Sequence, residues 1–350
     1  MIKVMHVLNT GKYSGAENVA ITIINSLKGN VDATYVSPEG SIKNFLDENG
    51  ITYYPVKKIT ITEIKKAIQQ IQPDIIHAHD FTAGIVCAAT GTKVPIVNHI
   101  HNNSPWIRHY NLNSFVYATS CLRYKKILTV SNSVMDEYVF GRYFKNKTEV
   151  IGNPVDINKI RTLAGNVLEK KYDIAFLGRL SSPKNPKKFI DIIANLKRKL
   201  PDVKVIMIGD GELKSEVVSH IENTNLQNNI KMVGFQKNPY AYLNQAKILL
   251  MPSLWEGFGL AAVEALALGI PVVCSNVGGL PDIVNKDCGA ICTDTNEYVD
   301  SSFDLLTEKN KYFEKSKNAI SRISEIVNEE EYNKKLLDIY STIIQSKSFC

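Results

Sequence analysis

Glu256-Gly257-Phe258-Gly259-Leu260-Ala261-Ala262-Val263-Glu264 follows the apolar run Ile248–Met251 and leads into Leu260–Leu268, rich in Ala, Leu and Glu. The run reads as a buried strand and the continuation as a helix, since Ala, Leu and Glu are strong helix formers. Gly257 and Gly259 let a ligand approach the backbone closely just where the helix begins. The first helical turn offers unpaired N–H groups and the positive end of the dipole, which suit an anionic oxygen. Glu256 precedes the helix and Glu264 lies about two turns inside it, so the spacing predicts that both face one crevice. A carboxylate beside an anion site has little use for phosphate alone. It serves a ligand that carries phosphate and hydroxyls together, because carboxylates accept strong hydrogen bonds from sugar hydroxyls. A plain strand–turn–helix, with Glu256 a cap and Glu264 solvated, reads the same nine residues equally well.

The stretches on either side repeat the strand–helix alternation. In the first half the strand candidates are Lys3–Leu8, Ala33–Val36, Thr52–Val56, Asp74–His77, Ile96–Ile100, Ile127–Val130 and Glu149–Ile151, with helical patterns at Ala16–Leu27, Ile61–Ile71 and Val134–Phe140. After a polar break at Leu163–Lys171 come strands Asp173–Leu177, Lys204–Ile208, Ile230–Val233, Ile248–Met251 and Pro271–Cys274. Helices Pro186–Leu200, Leu213–Glu222, Tyr240–Gln245 and Leu260–Leu268 alternate with them, and a helical tail covers Asn296–Gln345. Such alternation predicts parallel, doubly wound sheets that bind ligands in loops at the carboxyl ends of their strands. The expected architecture is an α/β chain of two facing Rossmann-like domains, residues 1–165 and 166–330, with a cleft between them.

The 350 residues suit two domains, and 44% hydrophobic with 22% charged residues describes an ordinary soluble globular protein. Ile2–Leu8 opens a strand at once, without the layout of a signal peptide, and no apolar run approaches the ~20 residues of a spanning helix. The six cysteines, Cys87, Cys121, Cys274, Cys288, Cys292 and Cys350, contain no Cys-x-x-Cys pair, so neither a zinc site nor a disulfide framework is indicated. A cytoplasmic location follows as the expectation. Residues 1–165 hold 18 Lys and Arg against 12 Asp and Glu, and the remainder 23 against 23, so the whole net charge of +6 lies in the first half. Arg108, Arg123, Lys125, Lys126, Arg142, Lys145 and Lys147 supply much of it. A solvated face is the commoner meaning of such charge; an anionic membrane surface on the inner face of a membrane is the other partner it fits, and no nucleic acid is indicated.

Four further stretches carry chemistry. Thr10-Gly11-Lys12-Tyr13-Ser14-Gly15-Ala16-Glu17 follows the first strand and opens a helix, but it lacks a third glycine and so departs from the dinucleotide fingerprint. Gly15 still suits an approach to phosphate. His77 and His79, then His99 and His101, are i, i+2 pairs near strand ends and project to one face as metal ligands do. No carboxylate or cysteine completes an evident set, so neither a metal nor any cofactor is expected. His101 should reach the loop region, where a neutral imidazole can donate to a hydroxyl or carbonyl. Gly178-Arg179-Leu180 with Lys184 five residues after Arg179 suits a pyrophosphate and the charge on a departing nucleoside diphosphate. Gly209-Asp210-Gly211-Glu212-Leu213 is a similar close-approach loop. No Asp-x-Asp triplet occurs, which disfavours a Mg²⁺-bridged diphosphate.

With Arg179, Lys184, the Glu256–Glu264 pair and Gly278-Gly279-Leu280-Pro281-Asp282 in one order, the chain resembles the retaining glycosyltransferases of family 4, with a GT-B fold, and among them bacterial capsular and exopolysaccharide enzymes. The resemblance implies that Arg179 and Lys184, with Gly15, bind the donor diphosphate. It puts the ribose hydroxyls on Glu264, the donor sugar on Glu256 and on Gly257, Phe258, Gly259 and Leu260, and the nucleotide loop at Gly209 and Phe235. His101, six residues after Pro95, takes the family's place beside the reacting carbon, so His101 and Glu256 are the implied catalytic residues. Ser14 stands where the family usually has the first of two glycines, and Asn153-Pro154-Val155-Asp156 carries Pro154 in place of Gly. The implied activity is metal-independent, retaining transfer from a nucleotide sugar, a UDP-sugar above all, to a lipid-linked saccharide in envelope assembly. Front-face attack and a covalent intermediate both remain open, with front-face transfer favoured because no Asp or Glu is placed as the nucleophile. The last helix is expected to cross back to the first domain. A non-catalytic sugar-nucleotide-binding subunit and a GT-B-like epimerase are the alternatives.

Overall fold

The structure is a computed structural model that describes residues 1–167 and 169–348; Cys350, one of the six cysteines, and Leu168, within the polar break, lie outside the described residues. The chain forms two compact units, residues 1–155 together with the chain from Asn328 onward, and Asp156–Val327.

The first unit is a seven-stranded parallel sheet of β1 (Ile2–Val7), β2 (Val31–Pro38), β3 (Thr52–Val56), β4 (Ile75–His79), β5 (Ile96–Ile100), β6 (Lys126–Thr129) and β7 (Thr148–Val150), in the order β3-β2-β1-β4-β5-β6-β7. β4 and β5 are buried along their whole length, which is why they read as continuous apolar runs broken only by histidine and asparagine. The register sets His6 beside His77 and His79 beside His99. Order reverses between β1 and β4, so the crevice for a ligand opens at their carboxyl ends. Three helices here were not among the stretches named from the sequence, Ile42–Glu48, Asp80–Ala89 and Leu112–Cys121. The helix expected over Val134–Phe140 is shorter and earlier, Ser133–Asp136. Val139 N–H is spent on Ile107 O at 3.0 Å rather than on a helical carbonyl, and a 3₁₀ turn, Gly141–Lys147, follows.

The second unit is a six-stranded parallel sheet of β8 (Tyr172–Leu177), β9 (Val205–Ile208), β10 (Ile230–Gly234), β11 (Ala246–Met251), β12 (Val272–Ser275) and β13 (Gly289–Cys292), in the order β10-β9-β8-β11-β12-β13. β13 is the one strand the apolar pattern did not indicate. Phe176, Met207 and Leu250 of the sheet pack with Phe189 and Ile193 of the helix Pro186–Lys197, each burial contributing about 1.5–3 kcal/mol. The chain passes between units at Val155–Asp156, ahead of the polar break. Asp156 caps the helix Ile157–Ala164 by accepting from Lys159 N–H at 2.8 Å. Arg161 then ties that helix to Ala267 O at 3.0 Å, which places it with the second unit.

The tail is three helices, Thr295–Thr307, Lys309–Ile326 and Glu329–Ser348. The last of them returns to the first unit, as expected. Asn333 Oδ1 accepts from Ser26 Oγ at 2.8 Å, Lys335 reaches Val150 O at 2.8 Å, and buried Tyr340 sets its hydroxyl 2.5 Å from His77 Nδ1. The five cysteines within the described residues are free and buried. Among the described residues no helix is long and apolar enough to cross a membrane.

Candidate active site

In the second unit three loops at the carboxyl ends of β8, β9 and β11 interlock. Gly178 N–H bonds Ile208 O, Leu180 N–H bonds Asp210 O and Leu213 N–H bonds Leu180 O, each at 3.0 Å. Gly209 has φ +139°, and a Cβ there would sit 1.9 Å from Gly178 O, so no other residue lets the two loops meet. The stem of Lys184 runs over Gly178. Its Nζ donates to Glu256 Oε2 at 2.5 Å, with Ser253 Oγ 3.5 Å from the same oxygen. The pair is sheltered, with side-chain exposures of 24% for Lys184 and 11% for Glu256. Arg179, 62% exposed, bonds Glu212 Oε2 at 3.0 Å. Each cation of the Arg-x4-Lys motif is therefore engaged by a carboxylate.

Glu256 is held from behind. Gly278, at φ +57°, lies so close to Glu256 O that a Cβ would overlap it, and Gly279 N–H bonds that oxygen at 3.3 Å. Gly259, at φ +105°, then opens the helix Leu260–Ala267. Glu264 accepts from Tyr240 Oη at 3.1 Å. Burial pushes its carboxyl up to about 7, against the opposing pulls of the Tyr240 hydrogen bond and the Lys184 charge. Lys184 thus bonds the first glutamate and acts electrostatically on the second. Phe235, just past β10, is 57% exposed.

In the first unit Ser14 stands at the N-cap position of the helix Gly15–Ser26, with Gly15 its first residue; its side chain bonds no backbone N–H there, and Ser14 Oγ donates instead to Glu17 Oε2. Burial pushes the Glu17 carboxyl up to about 7; Ser14 opposes this and the Asp80 charge adds to it. Asp80 sits at φ +61°, a left-handed conformation that costs a non-glycine residue about 1–3 kcal/mol. Its Oδ1 accepts from His101 N–H at 2.9 Å and Asn102 Nδ2 at 3.1 Å, while burial raises the carboxyl to about 6. Glu17, Asp80, His79, Asn102 and Trp106 line a pocket of about 290 Å³. Sequence reasoning singled out neither Asp80 nor Trp106. The available signal for Asp80 was its place directly after the strand-end histidines.

The histidines come together across strands. His6 Nδ1 lies 3.1 Å from His79 Nε2, and His79 Nδ1 lies 2.8 Å from His101 Nε2. A second chain joins Tyr340 to His77 and His77 Nε2 to His99 Nδ1 at 3.2 Å, and it leaves His99 Nε2 without a partner. Burial holds the rings neutral: His6 falls to about 3, His101 to about 4 against the pull of Asn153, and His77, His79 and His99 well below the usual value. In a chain of neutral imidazoles each ring donates once and accepts once, so the tautomer of His6 fixes those of His79 and His101. One nitrogen each of His79, His99 and His101 lies within 4.8 Å of the other two, a convergence the i, i+2 pairs did not reveal by themselves.

Residues 13–159 match the model of the Glycosyltransferase Family 4 domain, and residues 161–322 that of Glycosyl transferases group 1. The UDP-Gal:alpha-D-GlcNAc-diphosphoundecaprenol alpha-1,3-galactosyltransferase of Escherichia coli is 26% identical, over 99% of this chain and 98% of that one. A Campylobacter jejuni N-acetylgalactosamine-N,N'-diacetylbacillosaminyl-diphospho-undecaprenol 4-alpha-N-acetylgalactosaminyltransferase is 30% identical over 52% of this chain and 50% of its own. An uncharacterised glycosyltransferase of Methanocaldococcus jannaschii is 28% identical, and the match spans 61% of that relative. Among solved structures, Anabaena Alr3699/HepE in complex with UDP and glucose superposes with a TM-score of 0.88 at 21% identity, covering 98% of this chain and 100% of the other.

Proposed function

Because the chain belongs to the glycosyltransferases, a family 4 domain followed by a group 1 domain on a GT-B fold, we propose that it moves a sugar from a UDP-sugar to a lipid-linked saccharide with retention of configuration. The observation that carries this reading is the Lys184–Glu256 pair, sheltered beside Gly178 and next to the exposed Arg179. Fixed cations in a part-buried loop are what a departing nucleoside diphosphate requires, so the reading needs no metal at the leaving group. Glu256 then turns from Lys184 to the donor sugar's hydroxyls as the diphosphate takes the lysine. Glu264 accepts from the ribose hydroxyls, and the backbone from Gly257 to Leu260 meets the sugar and phosphate. His101, kept neutral, offers a hydrogen bond to a sugar hydroxyl. The pocket of Glu17, Asp80 and Trp106 suits the acceptor: carboxyl groups for hydroxyls and an indole for the face of a sugar ring.

The names of the Escherichia coli and Campylobacter jejuni relatives support a diphosphoundecaprenol-linked acceptor, and the α linkages in those names fit retention from an α-linked UDP-sugar. Front-face transfer, with the donor phosphate taking the acceptor's proton, is the mechanism we favour.

A screen of UDP-, GDP- and ADP-sugars for slow hydrolysis, read as released nucleotide, tests the reading. Release from one UDP-sugar is expected. UDP binding with silence from every donor would instead mark a non-catalytic subunit, and epimerisation without release a different enzyme. Arg179→Ala is expected to weaken UDP by about 1.5–3 kcal/mol, the worth of a charge-assisted contact. Calorimetry giving wild-type affinity would remove Arg179 from the site.

A further inference from the structure

The outer face of the helix Leu112–Cys121 is apolar where a surface helix is ordinarily polar. Six of the fifteen large hydrophobic side chains exposed among the described residues fall within residues 110–143: Tyr110 at 72%, Leu112 at 78%, Phe115 at 52%, Val116 at 38%, Leu122 at 68% and Tyr143 at 61%. Leu112, Phe115 and Val116 follow the i, i+3, i+4 spacing that elsewhere turns a helix toward a core, but here the stripe faces outward. Ring contacts join Tyr110 and Phe115 of this patch through Phe140. Phe140 packs against Tyr110 at 5.5 Å and Phe115 at 4.9 Å between ring centroids, and Arg142 lies 4.7 Å over the Tyr143 ring.

Positive charge surrounds it. Residues 108–147 contain seven Lys and Arg and two acidic residues, Asp136 and Glu137. Those two acids pair with Lys145 and Arg108 at 3.5 and 2.9 Å. Lys147 turns inward to the carbonyls of Cys121, Leu122 and Tyr124, fixing the end of the helix. Arg123, Lys125 and Arg142 stay exposed around the apolar stripe without a carboxylate partner.

We propose that this face docks on an anionic lipid bilayer, with Leu112, Phe115 and Leu122 entering the headgroup boundary and Arg123, Lys125 and Arg142 meeting lipid phosphates. The charge favours this occupant over a second copy of the chain, since two such faces brought together would oppose like charges. Tyrosines at the rim suit the boundary, where a ring is apolar on one side and wet on the other. The patch also adjoins the turn Pro105–Arg108, which carries Trp106 into the pocket of Asp80 and Glu17. Docking by this face would bring that pocket to the lipid surface. The surface stands on exposure and charge alone, independently of the transfer reading.

Co-sedimentation of the full chain with phosphatidylcholine vesicles, with and without phosphatidylglycerol, tests it. Binding is expected only with phosphatidylglycerol, falling as salt rises. L112S/F115S and, separately, R123E/K125E should each lower it at least about tenfold, while UDP affinity in solution and the thermal midpoint stay unchanged. These positions are already exposed, so neither variant threatens the fold. Failure to bind phosphatidylglycerol vesicles at low salt, or equal binding by L112S/F115S, overturns the proposal. So does a concentration-dependent dimer that L112S/F115S dissolves. Vesicle binding without sugar transfer would leave this surface standing while sinking the proposed function.

Discussion

Lys184→Ala is expected to lower kcat/KM by roughly 10- to 100-fold and to weaken UDP with it, because two losses coincide. The donor diphosphate loses a charge-assisted contact worth about 1.5–3 kcal/mol. Glu256, with its side chain 11% exposed, also loses the ammonium that compensates its charge, and an uncompensated carboxylate beside the diphosphate repels it. Glu256→Gln with intact Lys184 separates the two. The amide removes the repulsion yet keeps the shape, so it should bind UDP about as well as the native protein and lose activity in kcat. Lys184→Arg should restore only part of the activity, since the longer planar head does not fit over Gly178 as the lysine stem does. Steady-state kinetics of the three variants with one donor decides the matter. A Lys184→Ala enzyme with native kcat/KM would show that the pair is scaffold and the diphosphate lies elsewhere.

Glu264→Gln is expected to make the empty protein more stable and the UDP complex weaker. The folded carboxyl titrates at about 7 against 4.5 for the free group. The protonated form is therefore the one favoured by folding, and the carboxylate costs stability increasingly as pH rises from about 4.5 to 7. Above that the cost is constant and amounts to at most about 3 kcal/mol. The glutamine variant should show its full gain in unfolding free energy at pH 8 and none near pH 4.5. Ligand binding runs the other way. On the proposed role, the ionised Glu264 carboxylate accepts from the ribose hydroxyls, so native affinity for UDP is expected to fall as pH drops from 8 to 6, and the variant to lack that part of the slope. Titration of UDP's own phosphate is common to both proteins and cancels in the comparison. Equal affinity and equal stability at pH 8 would take Glu264 out of the site.

The positions of Arg179, Lys184 and Glu256 were legible in the sequence because each lies in a short loop after an apolar strand, and that of Glu264 because it follows in the second turn of the helix such a loop opens, where local pattern fixes position. Their partners were not. The Lys184–Glu256 bond joins residues far apart in the chain, and only the order β8-β11 makes them neighbours. Glu212 was within a stretch singled out for its glycines, yet its hold on Arg179 depends on how two loops cross. Asp80 was hidden for a different reason. It opens a helix from a left-handed backbone and the helix behind it is apolar on most sides, so neither an amphipathic period nor an ordinary cap marks it. β13 is four residues long and begins at Gly289, too short to register as an apolar run. The histidine chains are a property of register: His6 with His77 and His79 with His99 are lateral neighbours, which i, i+2 spacing along one strand does not disclose.

The helix Glu329–Ser348 supplies Tyr340 to the inner face of the first sheet, although all seven strands of that sheet precede residue 151. During synthesis the strands emerge early and wait while the entire second unit, continuous from Asp156 to Val327, is made. The second unit can finish folding as soon as it leaves the ribosome, whereas the first holds a bare apolar and histidine-lined surface until its closing helix arrives. A nascent chain of this protein is therefore most exposed to chaperones, and to premature association, in the half that was translated first.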